Sequence, residues 1–245
     1  TALPEKGLFR PLLADPKEPR FQLGMQWVDS DLNDTRVGAV GFGENFGIAR
    51  WAGRHAEEAW QFNLSAAVLA QFDMNAPSTD LVNADYIVGF PLSYRNDRWS
   101  VRLRFFHQSS HLGDEFLLRV HPDRVNLSFE SLETLLSYEW DNWRAYGGGE
   151  YLVNREPEEL EPGILHAGFE YRASDPTWNI GTLGAARLVA GLDVKSWEQH
   201  DWRSATSLKF GFEFRPLRDA SLLERSWNLL LEFYDRPSPY GQFYT

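Results

Sequence analysis

From Trp60 to Asp73 the chain alternates strictly. Trp60, Phe62, Leu64, Ala66, Val68, Ala70 and Phe72 fall on one face of an extended strand, and Gln61, Asn63, Ser65, Gln71 and Asp73 fall on the other. The same period of two recurs in Phe21, Leu23, Met25 and Trp27, in Ala84 to Tyr94, in Leu165 to Tyr171, in Leu208 to Phe214 and in Trp227 to Phe233. Opposite these apolar faces stand Asp85, Arg95, Arg102, Arg104, Glu150, Glu170, Arg172, Arg187, Lys209, Glu213 and Glu232. A row of charges behind an apolar face suits a polar lumen enclosed by a lipid-facing wall better than a soluble core. The alternation predicts eleven strands, near 20–29, 38–51, 58–73, 82–95, 98–109, 125–140, 143–154, 164–173, 182–194, 204–215 and 226–236.

Connections and aromatic residues give the strands a direction. Turns at Asn96-Asp97 and Asp141-Asn142 are tight, whereas residues 110–124, 154–162 and 195–203 form longer polar connections. Tyr94 and Trp99 flank one tight turn, and Trp140 and Trp143 flank the other, as in an interfacial girdle. The expected fold is all-β: a transmembrane, antiparallel, up-and-down β-barrel of about twelve strands in the bacterial outer membrane. Eleven strands are readable, and the even number usual for such barrels places a twelfth at or beyond the tail, residues 237–245, on the outer side. Residues 1–19, rich in Pro and charge, read as a periplasmic N-terminal segment, with residues 20–245 as the barrel.

Composition narrows the chemistry. The 245 residues include ten Trp and no Cys, which excludes a disulfide framework or a thiolate metal site. A net charge of -11 argues against nucleic acid as a partner and leaves membrane lipids and other envelope proteins. No run approaches the roughly 18 apolar residues of a membrane helix. Lumen charges of both signs can pair across a barrel of this size, which argues against a wide diffusion porin. Gly147-Gly148-Gly149 has no following helix and is a bend or close strand approach, not a phosphate loop.

One strand carries candidate chemistry. In Trp99 to Ser109 the outward series Trp99, Val101, Leu103 and Phe105 ends in His107 and Ser109, at the outer end of a fifth strand that runs outward if the first does. A strand-borne His-x-Ser resembles the outer-membrane phospholipase A and lipid A deacylase families, in which these residues are base and nucleophile on the lipid-facing wall. That resemblance implies Ser109 as nucleophile and His107 as general base for hydrolysis of a lipid acyl ester at the outer leaflet. A third group must orient the imidazole. Reading back from Trp140 on the sixth strand, Glu130 is the first choice and Asn126 the second. The opposite frame, with Val125, Leu127 and Phe129 outward and a bulge near Ser131, would turn Glu130 inward. The phospholipase pattern follows its serine with Asn-Gly, whereas Ser110, His111, Leu112 and Gly113 follow here. His107, His111, Asp114 and Glu115 form a weak metal constellation, and calcium at Asp114 or Glu115 fits a hydrolase of this type by resemblance only. Two rival classes stay open: a non-catalytic barrel serving as a structural or interaction subunit of an envelope complex, and a narrow transport pore.

Over most of its length the chain also resembles an uncharacterised, domain-of-unknown-function family of bacterial outer-membrane β-barrel proteins. The stretches that carry this are Leu12 to Pro16, Asn83 to Tyr86, Gly89 to Leu92, His107 to Glu115 and Ser238 to Phe243. It implies a shared barrel, no established activity, and a strand following Phe243.

Overall fold

The computed structural model describes residues 1–28, 35–55, 57–122, 125–179, 185–215 and 226–241. The chain forms β1 (Gln22–Val28), β2 (Thr35–Ala52), β3 (Glu58–Asp73), β4 (Asp80–Asn96), β5 (Trp99–Leu112), α1 (Asp114–Val120), β6 (Leu127–Trp140), β7 (Trp143–Glu156), β8 (Gly163–Arg172), β9 (Trp178–Asn179), β10 (Ala185–Trp197), β11 (Ser204–Arg215) and β12 (Trp227–Asp235). Among the described residues the sheet runs β1 to β8 and then β10 to β12, each strand antiparallel to its neighbour in chain order, with the two-residue β9 pairing β10. The alternation predicts these eleven up-and-down strands, and they curl into a half-barrel. No described helix is long and apolar enough to cross a membrane. Residues 29 and 182–184 of two expected strands, and residues 242–245 where a closing strand is expected, lie outside the described residues. Among the described residues β1 and β12 are the two edges and do not pair with each other.

Alternation survives as inside and outside. On β5, Ser100, Arg102, Arg104, Phe106, Gln108 and Ser110 are buried against the interior, while Trp99, Leu103 and Phe105 are exposed on the outer wall. On β6 the inward set is Leu127, Phe129, Ser131, Glu133, Leu135 and Ser137, so the frame that keeps Glu130 outward is the one adopted. Interior carboxylates and guanidiniums pair: Arg102 and Arg104 with Glu133, Arg144 with Glu170, and Arg172 and Arg187 with Glu213. Pairing is what allows so many charges to be withdrawn from water.

Both tight hairpins begin with an Asp in the left-handed region, Asp97 and Asp141, each at φ 49°. Asp tolerates this conformation because its short polar side chain bonds locally. Next to these turns the outward aromatics form cross-strand pairs: Trp60 with Tyr94, Trp99 with Tyr138 and Trp143 with Tyr171, with ring centroids 4.7, 4.5 and 4.7 Å apart. At that same end the expectation of short turns gives way twice, because β8 to β10 and β11 to β12 are joined through residues 173–184 and 216–226.

Residues 1–19, read from sequence only as a periplasmic segment, pack inside the curl from Leu8 onward, while residues 1–7 are mostly exposed. Phe9, Leu12, Leu13, Ala14, Asp15 and Glu18 are buried. Glu18 bonds Arg102 at 2.9 Å, Asp15 pairs with Lys195 at 3.1 Å, Lys17 pairs with Asp85, and the backbone N–H of Leu13 donates to Glu170 at 2.6 Å. The Phe9 ring lies between the guanidiniums of Arg102 and Arg144, 4.8 and 4.7 Å from its centroid. Arg20 folds the segment on itself, donating to the carbonyls of Leu12 at 3.0 Å and Leu13 at 2.8 Å. The inner wall carries glycine where the segment comes closest: a Cβ on Gly43 would stand 2.8 Å from the Arg20 nitrogen, and one on Gly47 would stand 2.5 Å from the Pro4 carbonyl.

The tail turns inward too. Tyr240 is buried in an apolar cluster with Ile87, Phe106, Leu127 and Phe129, and the Gly241 N–H points to the Asp85 carboxylate. The outer side was expected for this tail. Its last described residues do reach the end of the curl where β5 finishes, but they sit within the lumen.

Candidate functional site

β5 and β6 pair in a register that sets His107 opposite Glu130, Ser109 opposite Ser128 and Ser110 opposite Leu127. His107, Glu130, Ser109 and Ser128 share the outer face while Ser110 and Leu127 face inward, and His107 Nδ1 lies 2.7 Å from Glu130 Oε1. A carboxylate can only accept, so Nδ1 carries the proton of this bond and Nε2 is left as the basic nitrogen. Half-buried positions, with the His107 side chain 40% and the Glu130 side chain 29% exposed, keep the pair reachable from outside the sheet. The other Glu130 oxygen accepts from Asn154 Nδ2 at 2.8 Å, so both carboxylate oxygens are held.

Asn154 escapes a reading of strict alternation. Arg144, Tyr146 and Leu152 of β7 face inward, and continued parity would carry residue 154 inward as well. The register instead passes from Glu130 opposite Asn154 to Ser131 opposite Leu152, leaving Val153 as the extra residue of a β-bulge. Both Val153 and Asn154 are exposed. A bulge near Ser131 was considered from sequence as something that would turn Glu130 away. It lies on the opposing strand, and it brings Asn154 to Glu130.

Ser109 faces outward on the same strand, between Tyr86 of β4 and Ser128 of β6. Among the described residues it makes no hydrogen bond to His107, whose bond goes to Glu130. Asn126, the alternative third member, precedes β6 and lies past the last β5–β6 pair; the structure brings Glu130 to His107 and leaves Asn126 exposed. Asp114 and Glu115 occupy the exposed first turn of α1. No group of three or more His, Cys, Asp or Glu able to hold a metal gathers among the described residues.

Beside His107 the outer wall is hollowed. A groove of about 450 Å³ is lined by Phe21, Phe42, Phe46, Val68, Tyr86 and Val88, and His107 borders it. It forms because Ala66 and Val88 are small where neighbouring outward positions on β2 carry Phe42 and Phe46. A polar pair able to move a proton thus borders an apolar trough.

A second histidine–carboxylate pair, not anticipated from sequence, lies inside. His166 Nε2 is 2.6 Å from Asp193 Oδ2, which also accepts from the Tyr146 hydroxyl at 2.5 Å. His166 is 3% exposed and faces the lumen filled by the N-terminal segment, so this pair belongs to the packing of the interior.

No curated protein and no solved structure matches the chain. A family described as "Protein of unknown function (DUF1207)" matches residues 1–245, and the chain belongs to it.

Proposed function

We propose that the chain is the wall of an outer-membrane barrel and that it hydrolyses a lipid acyl ester at the outer leaflet. The observation that carries this reading is the outward His107–Glu130 pair, held at 2.7 Å through Nδ1 beside an apolar groove. The outward apolar strand faces, the aromatic pairs at one end and the charges held inside favour the membrane setting. In that setting the groove would receive acyl chain while the ester carbonyl lies near Ser109.

Ser109 Oγ adds to the ester carbonyl as His107 Nε2 takes its proton, and Glu130 stabilises the imidazolium that results. Collapse of the tetrahedral species breaks the bond to the lipid alkoxide, which leaves with the proton from His107. Water then attacks the acyl-serine with His107 again as base, which releases the fatty acid and restores the hydroxyl. A rotation of the Ser109 side chain is required, because its hydroxyl is not bonded to His107.

That missing bond is also what favours the second reading, a non-catalytic barrel in which the polar cluster only marks the strand end. The transport-pore reading is the weakest, because the N-terminal segment occupies the lumen. The deciding experiment is fatty-acid release from phospholipid and from lipid A by the purified full chain, with and without calcium. Wild type should release fatty acid and Ser109→Ala should release none above background. Equal release by both, or none by wild type under either condition, leaves the non-catalytic reading.

A further inference from the structure

We infer that Asn154 is a positioning residue, placed on the outer wall by the bulge at Val153 in order to fix Glu130 and, through it, the tautomer of His107. This rests on the hydrolase reading for its consequence in rate, though its geometry stands alone. Glu130 has two carboxylate oxygens and two donors: His107 Nδ1 at 2.7 Å on Oε1 and Asn154 Nδ2 at 2.8 Å on Oε2. Engaging both oxygens sets the plane of the carboxylate. With Asn154 gone, Glu130 can rotate, and one of its oxygens is left without a donor on an apolar wall, where an unsatisfied charged acceptor is costly.

The backbone supports the same assignment. A regular β7 would set Val153 opposite Glu130 and carry Asn154 to the inner face, opposite Phe129. One inserted residue at Val153 reverses parity from the level of Glu130 onward, so that Asn154 pairs with Glu130, Arg155 with Phe129 and Glu156 with Ser128. Bulges that re-aim side chains recur next to functional sites, and the first residue re-aimed here is the one that bonds the acid. Asn suits the task, since its amide donates to a carboxylate without adding a charge that would compete with the imidazolium.

The test uses the full chain in detergent micelles, with phospholipid as substrate, and compares wild type, Asn154→Ala and Asn154→Asp. Loss of a hydrogen bond to a charged group should lower kcat about 10- to 100-fold with KM little changed. Asp, of the same size but without a donor, should do no better than Ala. Nitrogen-15 NMR of the His107 ring, assigned by comparison with His107→Gln, supplies a readout independent of turnover. Wild type should show the Nδ1–H form, and Asn154→Ala a mixture of tautomers. An unchanged tautomer in Asn154→Ala overturns the inference, whatever happens to kcat, and so does a wild-type kcat in both variants. If wild-type and Ser109→Ala proteins hydrolyse equally, the hydrolase reading fails by itself, and the NMR result alone decides whether Asn154 positions the pair.

Discussion

His107 has two ring nitrogens, and its surroundings give them different roles. Nδ1 is committed to Glu130, which leaves Nε2 as the basic nitrogen. Replacing Glu130 by Gln tests this division. Asn154 Nδ2 would keep the amide oxygen on its own side, which turns the amide NH₂ toward His107 and makes Nδ1 an acceptor. The ring proton then moves to Nε2, where it blocks acceptance from Ser109. Glu130→Gln should therefore lower kcat on phospholipid by about 100-fold or more, although the substitution is nearly isosteric, and steady-state kinetics against wild type will measure it. Period two and hairpin register allowed His107, Ser109 and Glu130 to be placed on one face, with the opposite β6 frame left open, and their chemical roles came only from the resemblance to the lipid hydrolases. Asn154 was not legible. The bulge that reverses its parity has no marker in Tyr151-Leu152-Val153-Asn154, and the alternative weighed from sequence put a bulge on the wrong strand.

At the level of elements, each strand separates outer-wall chemistry from lumen chemistry, and the two faces should respond oppositely to charge. Leu64 is outward near the middle of β3, with buried Asn63 and Ser65 as its neighbours in sequence. If the outer wall meets hydrocarbon, Leu64→Arg should destabilise the folded barrel by about 2 to 4 kcal/mol. Phe210→Arg on β11 should behave alike. Equilibrium folding into phospholipid vesicles measures the difference, and no loss at either position would speak against a lipid-facing wall. The interior face carries the converse expectation. Arg102 is buried between Glu18 of the N-terminal segment and Glu133 of β6, with bonds of 2.9 and 2.8 Å. Glu18→Ala would leave a buried guanidinium short of one partner, at a cost of about 3 to 5 kcal/mol, and should also expose the N-terminal segment to protease. Strand positions were readable because long antiparallel strands with one apolar face repeat a simple pattern. Partners such as Glu18 and Arg102 are joined only by the curl, and nothing local in either stretch names the other.

For the whole molecule, the N-terminal segment makes the interior continuous. Without it, Lys195, Arg102, Asp85 and Glu170 would each lose a partner that residues 13–18 supply. This could not be read from sequence, since a Pro-rich charged segment looks the same whether solvated or docked. Its docking should depend on acid in one direction. Burial pushes the Asp15 carboxyl up, but the charges of Lys195 and His166 and the Lys17 N–H pull it down further, so it sits well below the usual carboxylate range. A carboxyl whose folded value lies below its unfolded value of about 3.9 stabilises the folded form fully above that value. The contribution is lost as pH falls below it toward the folded value, because the unfolded chain then takes up the proton first. Docking should thus be constant from about pH 5 upward and weaken progressively below about pH 4. Cleavage within residues 1–20, followed by mass spectrometry with an acid-active protease across this window, should rise as pH falls in wild type. Asp15→Asn should be cleaved more readily at pH 5 and show a flatter rise, because the group whose proton uptake drives the effect is gone. A wild-type profile that is flat down to pH 3, or an identical slope in Asp15→Asn, would mean that the segment is held by its apolar residues Phe9, Leu12 and Leu13 and not by the Asp15–Lys195 pair.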